Sequence, residues 1–315
     1  MTARLPSRRL TPDLVGCLVA GGAALSYAVT ILVGRSLAQA GVPSATALGT
    51  RFGVAALAIG VVLVARRSPL LPARGERLRL LVLGGVGYAL ESTLFFLALE
   101  HGTAAAAALV FYAYPAMVAL AELGLGARLP RRPLALAVTL SAAGIVAVVA
   151  SGNDLAIAPV GILFALGAAA VFAVYLVCGE RLVRRSDALT RAAWVAAGAT
   201  VSSVGRGLLT HSFTISGEHW ASLLAYGAFT AVAFGLMFVA LARLGPTRTA
   251  VVMTLEAFFA VVLGAAFLHE ELALSQLAGG MAILVAAGIV AGRRGRATPS
   301  VSPAAVPAAV GPSSV

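Results

Sequence analysis

The chain is a succession of apolar runs, each about as long as a lipid bilayer is thick. A helix that crosses the hydrocarbon core needs about 20 mostly apolar residues. Clusters of Arg, Pro and polar residues divide this sequence into ten such runs, at 14–34, 44–65, 79–99, 103–126, 133–151, 158–179, 188–209, 220–242, 248–268 and 275–292. In hydrocarbon the backbone must satisfy its own N–H and C=O groups, which makes helices the natural form of such runs. The expected fold is therefore an all-α membrane protein with ten transmembrane helices. Composition agrees: 60% of the residues are hydrophobic and only 11% charged, against roughly 25% charged in a soluble domain.

The net charge of +11 would ordinarily raise nucleic acid as a partner, because a basic stripe is the footprint of phosphate binding. Here all 23 basic residues are Arg and lie in short clusters between apolar runs. Cytoplasmic loops are enriched in basic residues, and with the N-terminus inside 20 of the 23 fall on the inner side. These are Arg4, Arg8 and Arg9; Arg66, Arg67, Arg74, Arg77 and Arg79; Arg128, Arg131 and Arg132; Arg181, Arg184, Arg185 and Arg191; Arg243 and Arg248; and Arg293, Arg294 and Arg296. Ten helices with both termini cytoplasmic account for this pattern, and nucleic acid is not an expected partner. Arg35 and Arg206 lie near the outer ends. Arg51, 8 residues into the second run, is expected to snorkel to the outer interface, with contact to a substrate carboxylate as the alternative. His101, His211, His219 and His269 all fall outside and read as solvated interfacial side chains.

Arg4, Arg8 and Arg9 ahead of an apolar run, with Ala38-Gln39-Ala40 beyond it, imitate a signal peptide. The run from Leu14 to Val33 exceeds the apolar length of about 7–15 residues in such signals, so a retained first helix is expected. Cys17 and Cys178 show neither disulfide nor metal spacing. Residues 1–13 read as a cytoplasmic N-terminal segment. Residues 293–315, a low-complexity run of Arg, Pro, Ser, Ala and Val, read as a disordered cytoplasmic tail.

The sequence also repeats itself. Phe96-Leu97-Ala98-Leu99 returns as Phe238-Val239-Ala240-Leu241, Ala142-Ala143-Gly144-Ile145-Val146-Ala147 returns unchanged at 286–291, and Tyr27-Ala28-Val29 through Gly34 resembles Phe172-Ala173-Val174 through Gly179. The near-constant offset divides the chain into two five-helix units, 14–151 and 152–292. Five is odd, so the second unit must cross the membrane in the opposite sense to the first. Inverted repeats of this kind build many secondary transporters, with the site near the midplane between the halves.

The two five-helix units, Arg51-Phe52 near the start of the second run, Tyr114-Pro115 within the fourth, and Leu268-His269-Glu270-Glu271-Leu272 before the tenth resemble the EamA family of the drug/metabolite transporter superfamily. The resemblance covers residues 12–293. The first copy departs from it, with Leu125-Gly126-Ala127-Arg128-Leu129 lacking the carboxylate, and Glu256-Ala257 stands where the family often has Glu-Pro. The resemblance implies a multi-pass protein of the cell (inner) membrane that moves amino acids, related metabolites or drug-like solutes through a cavity between the repeats.

Within the runs, ionisable groups stand out, because one at a helix centre costs about 2.5–3.5 kcal/mol on insertion scales. Glu91, about midway along the third run, and Glu256, in the ninth, are candidate proton or substrate-amine sites. Their structural alternative is a hydrogen-bonded Glu joining two helices. Glu122 reads as an interfacial charge. Tyr27, Tyr88, Ser92, Tyr112, Tyr114 and Tyr175 are candidate substrate-binding wall residues, ordinary packing being their alternative. Pro115 removes a hydrogen bond to the Phe111 carbonyl, which marks the fourth run as a cavity wall. Gly84-Gly85-Val86-Gly87 and Gly279-Gly280 read as packing features that let helices approach closely.

Enzyme signatures are missing from the sequence. His269-Glu270-Glu271-Leu272-Ala273 begins like a zinc-binding HExxH but ends in Ala, and neither a GxSxG elbow nor a phosphate-binding Walker loop is present. The expectation is a non-enzymatic secondary transporter, an exporter working by alternating access, with proton antiport or uniport/exchange through a central cavity as its leading mechanism. It needs no cofactor or metal, and its partners are a small-molecule substrate and the lipid bilayer. A homodimer is one open oligomeric state. A membrane receptor or scaffold that binds a small ligand without moving it is the alternative.

Overall fold

The computed structural model describes residues 12–126, 157–183, 185–214, 217–253 and 255–267, with isolated residues and short stretches between 132–144 and 274–285. Its regular elements are helices. They are α1 (Pro12–Gln39), α2 (Ser44–Ala65), α3 (Arg77–Val82), a π-helical segment (Leu83–Tyr88), α4 (Ala89–Glu100), α5 (Ala104–Phe111), α6 (Tyr114–Gly124), α7 (Pro159–Leu182), α8 (Ala188–Leu209), α9 (Trp220–Leu244), α10 (Pro246–Met253) and α11 (Leu255–Phe267). Among the described residues six helical stretches are long and apolar enough to span a membrane: Leu14–Gln39, Ser44–Ala65, Arg77–Glu100, Ala106–Gly124, Pro159–Leu182 and Gly217–Leu244. The protein is a multi-pass, all-helical membrane protein. The expected fifth and tenth helices, at 133–151 and 275–292, lie largely outside the described residues.

Helix ends follow local chemistry. Pro43 precedes α2, and Thr103 caps α5 by accepting the Ala106 N–H at 3.2 Å. Asp187 caps α8 by accepting the Leu189 N–H at 3.0 Å. These contacts satisfy donors that the first helical turn leaves orphaned. The span at Ala106–Gly124 is interrupted in its middle. A turn at Tyr112–Ala113 separates α5 from α6, and Pro115 sits in the first turn of α6. There a missing N–H costs nothing.

α1 packs along α9, α2 along α8 and α9, α4 along α7, and the π segment along α8. α2 and α8 run antiparallel. Thr46, in the first turn of α2, meets Ser212 and Thr214 just past the end of α8, while Thr190, in the first turn of α8, donates to the carbonyl of Pro69 past the end of α2. Side chains such as Leu57, Val61, Leu163 and Val201 are exposed on the outside of the bundle, where lipid tails would cover them.

Two helix crossings depend on glycine. A β-carbon at Gly84 would stand 2.0 Å from the Val195 carbonyl oxygen, so the third span lies backbone to backbone on α8. At the other crossing, a β-carbon at Gly227 of α9 would stand 2.4 Å from Cβ of Val54 on α2. The first of these lies in the π segment, whose wider turn is uncommon and tends to occur at functional sites.

At the end of the bundle that carries residues 66–76, a polar lock joins the two halves of the chain. The buried Glu76 carboxylate accepts the Arg185 N–H at 2.9 Å, the Ser186 N–H at 3.0 Å and the Ser186 hydroxyl at 2.6 Å. Ser186 Oγ accepts the Ala73 N–H in turn, and Trp194 Nε1 donates to the Leu70 carbonyl at 2.9 Å.

Candidate functional site

A small cavity of about 30 Å³ lies where α1, α2, the π segment, α4, α5, α7, α9, α10 and α11 converge. That is space for about two waters, so side chains must move apart before a metabolite can enter. Its polar wall is made by Thr30, Arg51, Glu91, Ser92 and Glu256, and its apolar wall by Tyr27, Ile31, Tyr88, Phe95, Phe111, Phe172, Tyr226 and Met253.

Tyr27, Tyr88, Glu91, Ser92 and Glu256, chosen from the sequence, line this space. Glu91 and Glu256 are each 6% exposed although they come from different spans. Ser92 donates to Glu91 Oε2 at 2.8 Å. Tyr88 donates to the Tyr27 hydroxyl at 3.3 Å, and Tyr27 points its own proton at Sδ of Met237, 3.5 Å away. Tyr88 is the hub of the apolar wall, with its ring centre 4.6 Å from Phe234, 5.1 Å from Tyr175 and 5.5 Å from Phe52. Edge-to-face rings at such distances add about 0.5–1.5 kcal/mol each beyond burial, which fixes the wall's shape.

Tyr112, Tyr114, Pro115 and Tyr175 are buried but stand behind the lining. Tyr112 and Tyr114 lie within electrostatic reach of Glu256. The Tyr112 hydroxyl has no hydrogen bond of standard geometry among the described residues, whereas Tyr114 donates to the Ala250 carbonyl at 3.1 Å and ties α6 to α10. Tyr175 stacks on Phe172, ring centres 5.8 Å apart, and its hydroxyl is also without a partner among the described residues. Pro115 shapes the fourth span and does not face the cavity.

The structure corrects the sequence reading of Arg51. The side chain does not snorkel outward; it is 6% exposed and turned into the cavity. Nε donates to Thr230 Oγ1 at 2.8 Å and Nη1 to the Tyr226 hydroxyl at 3.1 Å, while Cζ sits 4.7 Å from the Tyr226 ring centre and 5.2 Å from that of Phe52. Reach alone had favoured the interface, but an aromatic face and two hydroxyls supply inside the bundle what water would supply outside it. Thr230 and Tyr226 were missed. Their one signal was the spacing of four residues, which puts both on the same face of α9. Phe95, Phe111 and Phe172 were missed as well, Phe172 despite being the repeat mate of Tyr27.

The site thus holds one guanidinium and two carboxylic acids inside a shell of aromatic rings. A carboxyl in such a place can bind a proton or an ammonium group, a guanidinium can bind an anion, and the rings can hold an apolar body. Among the described residues no cluster of three or more His, Cys, Asp or Glu could hold a metal.

The sequence profile of the EamA-like transporter family matches residues 14–150 and again 159–292. No curated protein matches the chain. A solved structure described only as the crystal structure of a protein superposes with a TM-score of 0.67 at 21% identity, covering 88% of this chain and 97% of its own. At that identity the likeness speaks for the fold.

Proposed function

The chain belongs to the EamA-like transporter family, and from that premise we propose that it is a secondary transporter moving a small organic solute outward across the cell's inner membrane. The solute is an amino acid, a related metabolite or a drug-like compound, carried by alternating access of two inverted five-helix halves. The observation that carries this reading is the convergence of Arg51, Glu91 and Glu256, from spans of both matched regions, on one buried cavity.

Several features support the inverted arrangement. Phe96–Leu99 and its repeat at 238–241 share one pattern of buried and half-buried positions, and the repeat mates α2 and α8 run antiparallel. Gly84 and Gly227 are 143 residues apart, within the repeat offset, and each makes a close helix crossing: third span on seventh, eighth on second. Exchanging the halves interconverts these two crossings. They nevertheless differ in conformation, since Gly84 lies in a π-helical segment and Gly227 in regular α-helix. Related contacts held in unlike conformations are what two halves need if they exchange shapes as the site changes sides. The Arg distribution supports cytoplasmic termini.

Coupling follows from the acids. Glu91 or Glu256 takes a proton from one side and releases it to the other in exchange for substrate, which requires each to be neutral in one state of the cycle. The test is flux into proteoliposomes holding purified protein, over a broad panel of amino acids and metabolites, with and without a pH gradient. Movement of at least one compound, accelerated by the gradient, is expected. No flux of any compound under either condition would overturn the reading.

A further inference from the structure

The Arg51 guanidinium is built into the cavity in an incomplete way. Both recorded hydrogen bonds go to neutral hydroxyls, Thr230 Oγ1 and the Tyr226 Oη. Among the described residues Nη2 has no hydrogen-bond partner, and no carboxylate stands within ion-pair distance of the group. Burying a cation this way is costly unless an anion completes it. The holders are themselves held. Thr230 spends its proton on the Tyr226 carbonyl at 2.7 Å, which leaves a lone pair for Nε. Gly34 leaves room for the Tyr226 hydroxyl, since a β-carbon there would stand 2.9 Å from it. The guanidinium is therefore fixed in place with a donor edge unused, in the wall of the cavity that Glu91 and Glu256 also line.

We propose that Arg51, oriented by Tyr226 and Thr230, is the subsite for a carboxylate group of the transported solute. This rests on the transporter reading and narrows it, because the site then prefers solutes bearing a carboxylate over simple organic cations of the same shape. Positive and negative poles on one small cavity fit a solute carrying both an acid and an amine, with its apolar part against the rings. If Arg51 served only to neutralise Glu91 or Glu256, it would be expected at contact with one of them, and hydroxyls on α9 would not be needed to hold it apart.

The test uses the full-length protein in lipid nanodiscs. Binding is measured for the twenty proteinogenic amino acids, for their carboxamides, and for the matching amines that lack the carboxylate. At least one acid is expected to bind about tenfold or more tightly than its amide and amine, the effect of a single hydrogen bond to a charged group. Arg51→Gln is expected to erase that preference, and Arg51→Lys to keep part of it. Tyr226→Phe, which keeps the ring and removes only the hydroxyl, is expected to weaken acid binding without altering amine binding, so the idea remains testable should Arg51→Gln fail to fold. Amines binding as well as acids, no acid binding at all, or a preference that survives in Arg51→Gln would overturn the subsite. Flux of non-acidic compounds in proteoliposomes would then still stand for the transporter, so the two ideas fail separately.

Discussion

Replacing Gly84 by Ala adds one methyl group where the third span lies on α8. The new β-carbon would stand 2.0 Å from the Val195 carbonyl oxygen and 2.7 Å from the carbonyl carbon, where real β-carbons essentially never come within 3.0 Å. The obstacle is backbone and cannot rotate away, so the two helices must part locally by about 1 Å. Overpacking of this kind costs about 1–3 kcal/mol, and a rigid obstacle places Gly84→Ala toward the upper end. Against it stands the helix preference of Ala over Gly, about 0.5–1 kcal/mol, so a net loss near 2 kcal/mol is expected. Gly60→Ala is the control. It lies on α2 with nothing within 4 Å of an added β-carbon, so it collects the gain without the clash. The assay is thermal unfolding of both purified variants in one detergent, followed by flux in proteoliposomes. The midpoint is expected to fall for Gly84→Ala and to hold or rise for Gly60→Ala. Equal midpoints would refute the claim that a backbone-to-backbone crossing is built at Gly84.

Other perturbations reach other parts of the account. Glu91→Gln and Glu256→Gln remove the exchangeable protons while keeping shape, and loss of pH-driven flux is expected in at least one; unchanged pH-driven flux in both would take these residues out of the coupling. Glu76→Ala removes three hydrogen bonds that cross between the halves, each worth about 1.5–3 kcal/mol when the acceptor is charged, and faster amide exchange at Arg185 and Ser186 is expected; unchanged exchange there would mean the lock does not hold. Gly34→Ala presses on the Tyr226 hydroxyl and is expected to weaken binding at Arg51 without touching it, with wild-type affinity counting against the positioning role.

How far the fold was legible depended on how local its causes are. Pro43 and the polar cluster beginning at Arg66 bracket α2 at 44–65, and Asp187 and Thr210 bracket α8 at 188–209, bounds readable from sequence because caps and breakers act on their own helix. The glycines of the π segment were legible as a feature for close helix packing, but the helix they approach was not, since Val195 is more than a hundred residues away. Glu91 and Glu256 were legible as costly charges in apolar runs. Arg51 carried the same signal and was misplaced, because depth in a helix does not say which face a side chain takes. Its partners lie 175 and 179 residues on. The Glu76 lock was hidden for a similar reason, being one acid among five arginines in a loop read for its charge alone.

Alternating exposure of the central cavity is the claim on which the rest depends, and thiol labelling reads it directly. Ser92 lines the cavity, and Ser92→Cys in a chain whose Cys17 and Cys178 are replaced by Ser places one thiol there. A membrane-impermeant thiol reagent is applied to right-side-out vesicles and, separately, to inside-out vesicles. Labelling from both sides is expected of a transporter whose site visits each face. Labelling from one side only would contradict alternating access and would favour a receptor that binds its ligand without moving it.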